Sequence, residues 1–292
     1  RKGRKQMDNL KAKKRHPEEI AVYSAIYVCA AFSVLLLLGI IVYVFAKGAR
    51  RVNWAFLTGV TSILHGTVGI AGNILNTLII ILLTMIITTP IGVGAAIYLN
   101  EYAKPGKLVT VIIFATETLA GIPSIIFGLF GMLFFGQLCH MGYSLLTGSL
   151  TLTLMVLPLV TRNTQEALKT VPDSFRTGAV GLGAGKWYTI RTILLPSAMP
   201  GIVTGVILAI GRIIGESAAL LFTAGSAHLL PKTFDAFLEK IFHSGGTLTI
   251  QLYLSASKGE FEVAFGIAVV LLVIVLLINF GTKRLAKKLE KH

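Results

Sequence analysis

The chain has 292 residues, 54% of them hydrophobic and only 14% charged, where soluble globular domains carry about 25% charged residues. That balance excludes a soluble globular chain and defines an integral membrane protein, because about 20 apolar residues suffice to cross the hydrocarbon core as a helix. The formal charge is +14, and its placement along the chain says more than its sum.

The first sixteen residues, RKGRKQMDNLKAKKRH, hold eight Lys/Arg. A nucleic-acid arm shares that composition. A basic run directly before an apolar span reads instead as a cytosolic anchor at the lipid surface, with no nucleic acid as partner. No small-residue cleavage site follows a short apolar core, so no removed signal peptide is read. Cys29 falls inside a span and Cys139 in a short loop, which gives neither a disulfide framework nor metal spacing.

Six spans are expected, at about 21–46, 73–99, 108–135, 145–161, 198–222 and 261–282. The fourth is the least clean, since TGSLTLTLMVLPLV is short and rich in threonine. With the N-terminus inside, twenty of the 27 Lys/Arg lie on inner segments and six on outer ones, leaving Arg212 within a span. The bias places both termini in the cytosol. The expected architecture is an all-α membrane protein of six transmembrane helices. It divides into a basic segment 1–20, a first span with its external loop 21–71, a transmembrane domain 72–283 and a basic tail 284–292.

Two stretches between spans stand out, a cytosolic one over 162–196 and an external one over 223–260. In the external loop Phe234, Phe237, Leu238, Ile241 and Phe242 recur at helical spacing before Gly245 and Gly246. They predict a short amphipathic helix, lying on the membrane surface or forming part of a docking face.

Enzyme signatures are absent: there is no HExxH, no GxSxG and no GxxxxGK[ST]. His16, His65, His140, His228, His243 and His292 are scattered in loops and tails without ligand spacing. No catalytic residue, metal or directly bound cofactor is assigned. If the chain takes part in ATP-driven transport, another chain must bind the nucleotide.

Charge inside a span is the sharpest feature. Arg212 and Glu216 stand one turn apart in AMPGIVTGVILAIGRIIGESAALLF. Each costs about 2.5–3.5 kcal/mol at bilayer depth on insertion scales, unless it faces inward or pairs. The third span carries Gly121, Pro123 and Ser124, and a proline there breaks or kinks the helix. Glu117 lies roughly 13 Å from the start of its span and Arg212 roughly 16 Å from Gly201, counting 1.5 Å per residue. Glu117 is therefore a second candidate partner for Arg212, and sequence does not choose between it and Glu216. The pair either pins two helices or lines a polar pathway, with Ser124 and Ser217 beside it. Gly201, Gly205, Arg212, Gly215 and Ala219 fall on roughly one helical face, which favours close packing and leaves space beside the arginine.

The cytosolic stretch reads TQEALKTVPDSFRTGAVGLGAGKWYTIRTILLPSAMPGI. Pro172 and Asp173 open a short helix. Phe175, Ala179 and Leu182 share a face at helical spacing, Gly183 and Gly185 end it, Ala184 is small, and Pro196 closes the stretch before the fifth span. This pattern resembles the EAA-xxx-G-xxxxxxxxx-I-x-LP signature of ABC importer permeases, whose coupling helix fits a groove on the ATPase. Thr177 and Gly178 stand where that family has Glu and Ala, which makes Arg176 and Arg191 candidates for the polar contact. AGIPSIIFGLFG (120–131), AIGRIIGESAAL (209–220) and PIGVGAAIYLNEYA (90–103) are similar to segments of phosphate-specific importer permeases of the PstA type. The resemblance covers about 72–283.

It implies a type I importer (MetI-like) fold in the cell membrane. It further implies a heterodimer with a PstC-like permease, a PstB-like ATPase dimer that uses the ATP, and an extracytoplasmic PstS-like phosphate-binding protein. Inorganic phosphate would pass between the two permeases. A permease for another small oxyanion, or a subunit acting mainly in phosphate sensing, remains open on these residues.

Overall fold

A computed structural model describes residues 17–62, 67–231 and 233–289. Helix α1 runs over Pro17–Gly48, and apolar side chains along it, such as Tyr27, Phe32, Leu35 and Val42, are exposed. Uniform apolarity of this kind suits lipid rather than a protein core. The chain parts into two compact units, residues 1–47 and 48–292.

The second unit begins with a 3₁₀ turn at Ala49–Arg51, a one-turn helix α2 (Trp54–Thr58) and a small hairpin of β1 (Val60–Ser62) and β2 (Thr67–Ile70). The hairpin was not expected from an all-helical pattern. Its strands pair antiparallel, Val60 with Ile70 and Ser62 with Thr67.

The remaining spans form the bundle. Helix α3 (Ala71–Ile97) continues through a wider π turn at Tyr98–Tyr102. Helix α4 (Lys107–Gly121) and helix α5 (Ser124–Gly131), with its π extension Met132–Leu138, are apolar halves that meet at a bend of 103°. Helix α6 runs over Leu145–Lys169. A short helix α7 (Asp173–Gly181) leads to α8 (Lys186–Thr189), a π turn at Ile190–Leu194 and α9 (Leu195–Ile214). Helix α10 (Ala218–Thr223) follows a break, then α11 (Phe234–Glu239) with a 3₁₀ turn, α12 (Leu248–Ser257) and α13 (Phe261–Leu289). Among the described residues five helices are long and apolar enough to cross a membrane, and the bent α4–α5 pair meets the same measure when its two halves are taken together.

The threonine-rich fourth span is the centre of the bundle. Leu145, Leu152, Met155, Val156 and Val160 of α6 are buried against Ile79 and Ile80 of α3, Ile213 of α9 and Leu220 of α10. Its small hydroxyl residues allow close approach from several sides. Gly131 of α5 lies so close that a Cβ there would strike Thr151. In lipid, association comes from such packing, since hydrocarbon competes for apolar surface.

Two boundaries differ from expectation. Helix α6 runs on to Lys169 instead of stopping at 161, and the fifth span starts at Lys186 instead of 198. Arg162, Glu166 and Lys169 end the apolar run, yet the helix continues through the first two and closes only at Lys169. The backbone stops only before Pro172, which lacks an N–H and disfavours helix in the residue before it. The non-span stretch therefore narrows from 162–196 to 170–185. Pro196 does not close it: the proline sits inside the helical run, and the π turn just before it accommodates the missing N–H.

Candidate functional site: two broken spans and a clamped short helix

Two of the apolar stretches are interrupted, and their second halves pack together. The first break follows Gly121, with Ile122 and Pro123 extended and Ser124 opening α5. The second lies at Gly215–Ser217, between α9 and α10. Gly128 of α5 meets Ala219 of α10 so closely that a Cβ would come within 2.8 Å of the Ala219 Cα, and Gly131 stands equally close to Thr223. The motif GIPSIIFGLFG is thereby joined through glycine contacts to α10, the helix that directly follows GRIIGES. Irregular backbone at membrane depth persists only against protein or a wet cavity.

The expected ion pair does not form. Arg212 lies in the last turn of α9, exposed, and has no ion pair among the described residues. Glu216 is beyond the end of that helix, and its carboxylate accepts from the Ala219 N–H at 3.0 Å, capping α10. The Glu216 carbonyl accepts from the Thr249 hydroxyl at 2.8 Å. The i,i+4 reading assumed a continuous helix, and the break at Gly215 removes that geometry. Ser217 and Ser124 are both half-buried at the two breaks.

Glu117 does not face Arg212 either. It lines a cleft of about 180 Å³ between α4 and α6 with Thr116, Arg162, Gln165, Glu166 and Lys169. Counted from the observed helix starts, Glu117 is roughly 15 Å along from Lys107 and Arg212 roughly 39 Å along from Lys186. The depth match depended on starting the fifth span at Gly201. The space expected beside the arginine is also placed differently. Gly201 and Gly205 are filled by Ala167 and Asn163 of α6, while Gly211 has open space around it. Thr204, Leu208, Gly211, Arg212 and Gly215 form the exposed stripe of α9.

At the end of the bundle formed by 170–185, α7 opens at Pro172 and stops with a paired set of bonds. The Gly183 N–H donates to the Val180 carbonyl at 2.9 Å and the Ala184 N–H to the Ala179 carbonyl at 3.0 Å. Gly183 has φ +82°, the left-handed conformation this C-terminal motif needs. The expected shared face divides: Ala179 is 5% exposed, whereas Leu182, just past the helix end, is 90% exposed. Phe175, Val180, Trp187 and Tyr188 are exposed with it.

Arg176 turns inward, contrary to its expected role as an outward polar contact. Its guanidinium donates to Glu101 Oε1 at 2.9 Å, to the Leu168 and Val171 carbonyls at 3.0 Å each, and to Asp173 Oδ1 at 3.0 Å. Hydrogen bonding to Glu101 raises its pKa against the opposing effect of burial. Arg191 stays exposed. Glu101, 9% exposed at its side chain, was missed by sequence reasoning. The signal available was its place in YLNEYA, within a segment already marked by resemblance.

The opposite end is closed by backbone. The Asn76 amide donates to the Ala227 and Gly246 carbonyls, and the Asn73 amide also to Gly246, each at 3.0 Å. The Leu248 N–H donates to the Thr77 hydroxyl at 3.0 Å. Lys240 is buried, donates to the Leu229 carbonyl, and has its pKa lowered by that burial. The helix expected at 234–242 is present as α11 and its 3₁₀ turn, while α12 was not foreseen.

With this geometry, comparison with known proteins defines the class. The sequence model of the family described as binding-protein-dependent transport system inner membrane component matches residues 88–292. The chain belongs to this family of multi-pass cell-membrane subunits. It is 35% identical over 273 residues to the probable ABC transporter permease protein YqgI of Bacillus subtilis, covering 90% of this chain and 93% of that one. It is 34% identical over 244 residues to the phosphate transport system permease protein PstA of Xylella fastidiosa, covering 82% of each. Within the family the chain is thus of the PstA type. Its fold matches a chain of the bacterial alginate ABC transporter at TM-score 0.69 and 13% identity, covering 94% of this chain and 96% of that one. It matches a chain of the inward-facing MetNI methionine ABC transporter at TM-score 0.57 and 21% identity, covering 76% and 94%. The fold is that of MetI-like importer permeases.

Proposed function

We propose that this chain is the transmembrane permease subunit of an ATP-driven importer that moves inorganic phosphate into the cytoplasm by alternating access. The observation that carries the substrate is Arg212, an arginine without an ion pair among the described residues, on the exposed stripe of α9 at a helix break. An arginine on a spanning helix must face protein or water rather than lipid. A guanidinium offers a planar fork of donors suited to phosphate. The PstA-named relatives support the same substrate.

The stripe of α9 would then face a second, PstC-like permease, with the anion passing between the two. Phosphate would arrive from a PstS-like binding protein. ATP would be hydrolysed by a PstB-like dimer docked on Phe175, Val180, Leu182, Trp187 and Tyr188. The Lys/Arg bias supports placing that end in the cytosol, with both termini.

Arg212→Gln tests this reading in proteoliposomes holding the complete complex and its binding protein. Phosphate uptake is expected to fall at least about 100-fold, as for a lost charged donor to an anion at about 3 kcal/mol, while the subunits still co-purify. Undiminished uptake in the assembled variant would remove Arg212 from the pathway. Competition by sulfate and molybdate in the unmodified complex is expected to be weak.

A further inference from the structure

The π turn that closes α3 is tied at two points, to α7 inside the segment read above as the ATPase contact and to Lys186 just past it. On one side Arg176 of α7 bonds Glu101 through two nitrogens, Nη2 at 2.9 Å and Nε at 3.3 Å. On the other side the Lys186 ammonium, at the start of α8, stands 4.6 Å from the centre of the Tyr102 ring. Glu101 and Tyr102 are consecutive, so two neighbouring residues of one turn hold α7 and the start of α8. The Glu101 carboxylate is itself steadied by the Asn100 amide at 2.7 Å.

We propose that this two-point fastening makes α3 a driven element of the transport cycle, with Arg176 and Glu101 as its positioning residues. The covalent route from 170–185 leads through α8 into α9. The fastening adds a lateral route into α3, whose buried face packs along α6. A push on the exposed side chains of the segment then moves α3 and α9 together, while Arg176, through the Leu168 and Val171 carbonyls, holds the end of α6 to the same joint. Two charged donors converging on one carboxylate oxygen are suited to this because charge-assisted bonds are roughly twice as strong as neutral ones. The inference rests on the reading of 170–185 as the ATPase contact.

The test uses the complete complex in proteoliposomes and reads phosphate uptake per ATP hydrolysed. Arg176→Gln and Glu101→Gln are each expected to lower that ratio about tenfold, within the coupling free energies usual between sites, with hydrolysis falling less than uptake. The double variant is expected to be no worse than either single one, because both remove one interaction. Arg176→Lys, which keeps the charge but not the fork, is expected to regain part of the ratio, and it decides the matter if Arg176→Gln does not assemble. An unchanged ratio in the assembled variants, or losses that multiply in the double variant, would overturn the proposal. A cysteine at Leu182 separates this from failure of the underlying reading. If it cross-links to the ATPase while the ratio stays normal, only the fastening falls. If it never cross-links in the otherwise unmodified complex, the contact reading falls with it.

Discussion

The two ends of the bundle are built on opposite plans. The end formed by 170–185 is fastened by side chains and leaves large apolar groups exposed. The end formed by 224–248 is sealed by backbone carbonyls against buried asparagine amides, with Gly72 so close to His228 that a methyl group would collide. Side-chain fastenings can tilt and re-form, while buried amide–carbonyl bonds are costly to open in a low-dielectric interior. The contrast describes a molecule with one end held by side chains around exposed apolar groups and one end locked by buried backbone bonds.

The most damaging change to that contrast should come at the sealed end. Asn76→Ala strands the Ala227 carbonyl and weakens the hold on Gly246, at a cost of about 1–3 kcal/mol. A lowered thermal midpoint in detergent and faster proteolysis within 224–247 are the expected signs. An unaltered cleavage pattern would mean that this end is held by other contacts.

At the fastened end Gly183→Ala is expected to cost about 1–2 kcal/mol, because only glycine takes the left-handed conformation freely. That loss should be local, appearing as accelerated amide exchange in 179–185 with little change in the melting of the bundle. The smallest effect on stability belongs to Leu182→Ser. Its side chain is already outside, so stability should stay within about 0.5 kcal/mol of the unmodified protein, with the thermal midpoint little moved. Association with the ATPase, measured by co-purification, should nevertheless weaken. Full retention of the ATPase would move the contact away from Leu182.

Much of the span layout was legible because hydropathy and backbone breakers are written locally. GIPS announced a kink, and the structure makes it a complete break, since Ile122 and Pro123 both leave the helix after Gly121. The second break was hidden. No proline marks Gly215–Ser217, the apolar run continues on both sides, and Glu216 looked like a charge partner one turn from Arg212. Its real role, capping α10, depends on the backbone having already turned. The coupling stretch was set too long because charge was taken to end a helix, when charge ends only the lipid contact. Arg176 was read as outward because its four acceptors come from three stretches, Glu101, the carbonyls of Leu168 and Val171, and Asp173 of its own helix, which no local pattern brings together.

The threonines of α6 have a consequence for how the chain enters the membrane. Its most apolar window has a mean hydropathy of only 1.5, against 2.1 to 3.1 for the other continuous spans. Yet Thr151 bonds back to the Thr147 carbonyl at 2.8 Å and Thr153 to the Ser149 carbonyl at 2.9 Å. A hydroxyl satisfied within its own turn shows lipid mainly its methyl group. Insertion of this helix during synthesis therefore costs less than its residue count suggests, and the bundle acquires a centre slender enough for glycine-close neighbours without waiting for them to arrive.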